Sequence, residues 1–134
     1  MKNQEDFTGF EFDWFAKDIN SNIGLFATAG SGFIPEEVLS HHDQHEEIAN
    51  MLPHDKFGTN EVWNELAEQG LYVFDWGYFS GKESYNKMAI PLGKMNNILK
   101  ELILNINELP KLDVDFKTAE RILPNQINKS VPED

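Results

Sequence analysis

The chain has 134 residues, 40% hydrophobic and 12% aromatic, enough to build one domain with its own core and too apolar for a disordered chain. It contains no cysteine, which excludes disulfides, thiolate nucleophiles and cysteine-ligated zinc. A formal net charge of -12, from 23 acidic and 11 basic residues, repels nucleic-acid phosphates and anionic lipid, and leaves a basic protein partner or plain solubility as its use.

The first ten residues, MKNQEDFTGF, lack a basic segment leading into an apolar one, and no apolar run approaches bilayer length. The expectation is a cytoplasmic protein with no membrane association. Residues 1–9 are polar and are expected to fray. From Phe10 the period becomes two: Phe10, Phe12, Trp14 and Ala16 share one face, with Glu11, Asp13, Phe15 and Lys17 on the other, the pattern of a half-buried strand. A turn over 18–22 follows, with Ser21 where glycine would be easier, and a second strand over 23–29 closes a hairpin.

Gly30, Ser31 and Gly32 lead to Pro35-Glu36-Glu37, a helix start with a proline and two first-turn carboxylates. A phosphate cradle is disfavoured there, because the loop lacks a Gly-Lys-Ser/Thr ending and both glutamates repel an anion. Residues 36–52 are helical, read either as one helix with a histidine-centred stripe or as two, the second begun by Asp43 and Glu46. A loop over 53–58 precedes a helix over 60–69 that buries Val62, Trp63, Leu66 and Ala67 and ends at Gly70.

Residues 71–79 are apolar on both faces, as in a central strand, and 84–91 return as its hairpin partner. Residues 94–107 carry Met95, Ile98, Leu99, Leu102, Ile103 and Ile106 at helical spacing, which reads as the main core helix. Leu112, Val114 and Phe116 alternate with charged residues as a last strand near a sheet edge, and 118–134 add at most a turn or short strand around Ile122 before fraying. The fold expected is α+β: one domain ordered over about 10–117, a mainly antiparallel sheet of about five strands with two or three helices packed on it.

Three segments carry a resemblance: Asp13-Trp14-Phe15-Ala16 with Asn22-Ile23-Gly24-Leu25-Phe26, then 70–77 (GLYVFDWG), then 85–91 (YNKMAIP). In that order the chain resembles a family of small uncharacterised bacterial proteins with a DWFA…NIG…GLYVYDWG…YxxxAxP pattern, covering about residues 10–116. Such proteins look like members or neighbours of the immunity proteins encoded beside bacterial polymorphic toxins. The resemblance therefore implies an immunity-like binding role and carries no catalytic residues with it.

Three constellations bear chemistry. In the group His41, His42, Asp43, His45, Glu46 and His54, the pair His41 and His45 lies four residues apart, so one helix would let both imidazoles reach a single zinc ion, as would His42 and Glu46. Against this, there is no HExxH pattern and a helix break near Asp43 separates the pair. Asp13 and Asp75 lie within aromatic strands and would form an acid/base pair if those strands were neighbours, but alternation puts Asp13 opposite Trp14 and an ordinary outward-facing aspartate is the preferred reading. The aromatic residues Trp14, Phe15, Trp63, Trp76, Tyr78 and Phe79 read as core by default, and Trp76, Tyr78 and Phe79, near a strand end, are the candidates for a partner-binding surface.

The leading functional expectation is a non-enzymatic protein that occludes a basic protein partner through its acidic surface. The alternative is a small metal-assisted hydrolase using His41 and His45, and a third is a domain that forms a homodimer and has no site of its own.

Overall fold

A computed structural model describes residues 3–53, 59, 61–79 and 81–128. Five strands, β1 (Asp13–Lys17), β2 (Ile23–Ala27), β3 (Tyr72–Phe79), β4 (Lys82–Ala89) and β5 (Arg121–Ile122), form one sheet in the order β1-β2-β3-β4-β5. The helices are α1 (Glu36–Ser40), α2 (His42–Asn50), α3 (Val62–Glu68), α4 (Asn97–Leu104) and α5 (Pro124–Ile127). The α+β expectation holds, with one addition. β2 and β3 pair in parallel while every other neighbouring pair is antiparallel. A parallel pair needs a crossover, and the crossover here carries α1, α2 and α3.

That crossover explains why β1 is not half-buried as its alternation implies. Residues paired across the sheet share a face, so Trp14, Phe26 and Phe74 form one row and Phe15, Leu25 and Val73 another on the opposite side. All six are inaccessible to solvent. The first face packs with Phe7, Val38, Tyr85, Leu112, Phe116 and Ile122, and the second with Ile48, Leu52, Leu66, Leu71, Ile103 and Ile106. On the first face the Trp14 and Phe26 rings stack at 4.4 Å, and Phe26 stacks on Phe74 at 4.9 Å. Phe10, placed with the buried row by its spacing, lies before β1 and is exposed.

The chain ends also depart from expectation. Residues 4–7 form a 3-10 turn capped reciprocally by Asn3 and Asp6. Phe7 enters the core, and Gln4 donates to the Gly32 carbonyl and accepts from the Ile34 N–H. Leu112, Val114 and Phe116 do not form a strand of the sheet. Their segment runs along the outer edge of β1, where the Lys17 N–H donates to the Pro110 carbonyl and the Leu112 N–H to the Lys17 carbonyl. The fifth strand is instead the two-residue β5, paired with Tyr85 and Asn86 of β4.

The segment read as the main core helix buries less than its pattern implies. Within α4 only Ile103 is buried; Ile106 follows it past the helix end, while Ile98 is 70% exposed. Residues 36–52 resolve into two helices, broken at His41 (φ -128, ψ 32), and α2 has no side-chain cap bond. Gly70 ends the α3 connection at φ +92, where a Cβ would stand 2.5 Å from the Met95 nitrogen. Both the left-handed backbone and the close approach demand glycine. Ser21 is in the left-handed region at φ 63, the strain anticipated for that turn. Among the described residues no helix is long and apolar enough to cross a membrane.

Candidate functional site: an acid-rimmed cavity

β1 and β2 run antiparallel, and Asp13 lies opposite Ala27, which in turn lies opposite Asp75 of β3. The three form a row on the helix-covered face, at the carboxyl end of β2 and midway along β3. A cavity of about 590 Å³ opens there, floored by Leu25 and Ala27 and walled by Leu52, Val62, Trp63 and Leu66. Glu11 and Asp13 stand at its rim.

A second, polar groove of about 290 Å³ adjoins it and is lined by Glu11, Phe12, Asp13, Glu46, Ala49 and Asn50. Glu11, Asp13, Ala49 and Asn50 line both hollows, so they are one continuous depression with an apolar chamber and an acidic vestibule. The helix α3 creates the chamber by packing incompletely: Leu66 and Ala67 are buried, whereas Val62 and Trp63 are only half-buried and face the hollow. Asp75, half-buried beside Ala27, has its pKa raised by loss of solvent and then by the negative charge of Glu11, against a lowering from the Trp76 backbone N–H. Negative charge therefore accumulates at this end of the sheet.

Asp13 and Asp75 are not the neighbours that a shared acid/base cleft needs. β2 runs between their strands, so their backbones stand about 10 Å apart. Nor is Asp13 outward-facing: it is half-buried at the cavity rim.

The histidines are divided among different tasks. His45 is fully buried, and its Nδ1 accepts the Phe15 N–H at 3.0 Å. Phe15 lies on the outer edge of β1, two residues before Lys17, so His45 supplies there the acceptor that a sixth strand would have supplied. Burial first, and then the neighbouring His41, lower its pKa from 6.5 to about 4. A neutral ring accepting at Nδ1 carries its proton on Nε2. His41 turns away to Glu108, with its Nε2 2.9 Å from the carboxylate Oε1. The pair His41 and His45 is thus committed to two structural contacts, and His54 lies outside the described residues.

The spacing of His42 and Glu46 does yield a cluster. His42 Nδ1 lies 3.1 Å from Asp43 Oδ1, without hydrogen-bond geometry, and 3.8 Å from Glu46 Oε1. One donor atom from each of the three lies within 4.8 Å of the others. One imidazole nitrogen and two carboxylates are thus a group that could hold a metal ion.

Of the aromatic trio, Trp76 packs edge-on against Tyr85 at 4.9 Å and donates its Nε1–H to Glu83. Tyr78 is 75% exposed. The side chain of Phe79 lies outside the described residues.

Two buried polar residues escaped the sequence reading as organising groups. Asp18, fully buried, accepts from the Asn20 and Asn22 N–H groups, the Asn22 side-chain amide and the Phe116 N–H, tying the first hairpin to the segment that covers it. The Tyr85 hydroxyl accepts from Trp14 Nε1 and donates to the Phe33 carbonyl, and burial raises its pKa far above the ordinary range. Gly32 lies against this hydroxyl, where a Cβ would stand 2.7 Å away. The glycine loop packs closely on the sheet at Gly32.

Comparison with protein-family models, with curated proteins and with solved structures returns no match in any of the three.

Proposed function

We propose that the protein is a non-enzymatic binding protein that occludes a basic protein partner, in the manner of immunity proteins, to which the uncharacterised family its sequence resembles looks related. The observation that carries this reading is the acidic vestibule: Glu11, Asp13 and Glu46 meet at the mouth of an apolar cavity in a chain of net charge -12. Complementary charge speeds encounter and suppresses wrong partners, while a few anchors in desolvated pockets supply most of the affinity. The depression offers both features in one place. Tyr78 adds an exposed aromatic at the far end of the same strand that carries Asp75.

Affinity capture at low and high salt, with wild type and Glu11→Lys, tests the reading. A basic protein retained at low salt, released at high salt and lost on charge reversal is the expected result. Capture indifferent to both, or confined to neutral and acidic proteins, overturns it.

The cluster of His42, Asp43 and Glu46 favours a second reading, a metal-assisted hydrolase in which these residues replace His41 and His45 as ligands. Three protein ligands on zinc leave a fourth position for water, whose pKa the ion lowers. Elemental analysis of untagged protein separates the two: the hydrolase retains metal stoichiometrically. Added zinc then raises the melting temperature of wild type and His41→Ala, but not of His42→Ala.

A further inference from the structure

Resting on the basic partner proposed above, we infer that the apolar chamber receives one aliphatic or aromatic side chain of that partner, while the vestibule receives the lysine or arginine next to it. The cavity, at about 590 Å³, falls within the size of pockets that enclose whole ligand groups. Leu25, Leu52, Val62 and Leu66 give its lining an aliphatic surface that rewards an apolar group. Its rim, Glu11 and Asp13, continues into a groove that adds Glu46.

A purely apolar ligand would take water from the exposed carboxylates of Glu11 and Glu46 and offer no charge in return, which is costly. A lone cation would pair with the rim and leave the chamber wet. An anionic group would meet three carboxylates. Adjacent residues of a peptide lie about 3.8 Å apart, and the two hollows share four residues at their boundary, so an apolar–basic dipeptide satisfies both compartments at once. The raised pKa of Asp75, caused in part by Glu11, reports the charge that such a cation would relieve.

The probe is N-acetyl-leucyl-arginine amide, compared with the neutral citrulline analogue and with N-acetyl-glycyl-arginine amide. Binding is read from nuclear magnetic resonance shifts of Ala49, Trp63 and Leu66. Expected are saturable shifts with the first peptide, and affinity at least about tenfold lower with each of the others, since each lacks one of the two contacts. Ala49→Phe, which fills the depression from a half-buried helix position, abolishes the shifts. Glu11→Lys makes the arginine and citrulline peptides equivalent and removes the salt dependence. Circular dichroism confirms that both variants fold.

Equal affinity for all three peptides, or no saturable shift in wild type, overturns the inference. If folded Ala49→Phe still captures a basic partner undiminished, the assignment to this cavity fails and the partner reading stands. If the dipeptides bind in the expected order but no basic protein is captured, the partner reading fails and the ligand class stands.

Discussion

Acid should destabilise this protein through His45 before its carboxylates are titrated. In the folded chain the ring is buried, neutral and accepting from the Phe15 N–H, with its pKa lowered from 6.5 to about 4. The unfolded chain therefore binds a proton in the window between those values and the folded chain does not. Its contribution is fully present above about pH 6.5 and is lost as pH falls toward 4. At about 1.4 kcal/mol per pH unit, the acid limit is about 3 kcal/mol, and the loss between pH 7.5 and pH 5 is about 2 kcal/mol. The assay is urea unfolding of wild type and His45→Gln at both values. The glutamine amide oxygen can take the Phe15 N–H but does not titrate, and the carboxylates titrate alike in both proteins, so the difference isolates the imidazole. Wild type should lose about 2 kcal/mol more than the variant. Parallel losses would overturn this role for His45, as would a His45 imidazole resonance that titrates near pH 6.5.

Three further substitutions test the packing. Gly70→Ala combines a left-handed φ of +92 with a Cβ 2.5 Å from the Met95 nitrogen, and should cost at least about 2 kcal/mol in urea unfolding; a loss below about 0.5 kcal/mol would mean the 70–95 contact yields freely. Tyr85→Phe removes the acceptor for buried Trp14 Nε1 and the donor to the Phe33 carbonyl, so about 1–3 kcal/mol should be lost in thermal and chemical melts. Asp18→Ala leaves the Phe116 N–H without its acceptor and releases the turn at Asn20 and Asn22. A cost of about 3 kcal/mol is expected, with faster hydrogen exchange at Phe116, and unchanged exchange there would contradict the role assigned to Asp18.

The candidate site was only partly legible. Glu46 and Asp13 were visible as residues of chemical interest, but their meeting with Glu11 depends on α2 lying beside β1, and sequence spacing does not specify that packing. The chamber arises from a shortfall: Val62 and Trp63 have the spacing of core residues, yet α3 seats only Leu66 and Ala67 fully against the sheet. His45 shows the converse. Its position on a stripe with Ile48 was legible, and the stripe does face the core; spacing alone does not reveal that its ring would meet an unpaired N–H at the sheet edge.

Local features could be read from the residues alone. Alternation marked β1, the two-sided apolar run marked β3 as central, Gly70 marked a chain reversal, and Ser21 marked strain, because each follows from backbone sterics or from the periodicity of a single element. The tertiary structure decided what lies beyond one element. It placed β2 parallel to β3, since a crossover's destination depends on which faces remain to be covered, and thereby buried both sides of β1. It gave the fifth sheet position to Arg121–Ile122 and sent the 110–114 segment along the β1 edge, where backbone donors needed acceptors. It also left Ile98 of the amphipathic α4 in solvent, because periodicity names an apolar face without saying how much partner surface remains for it.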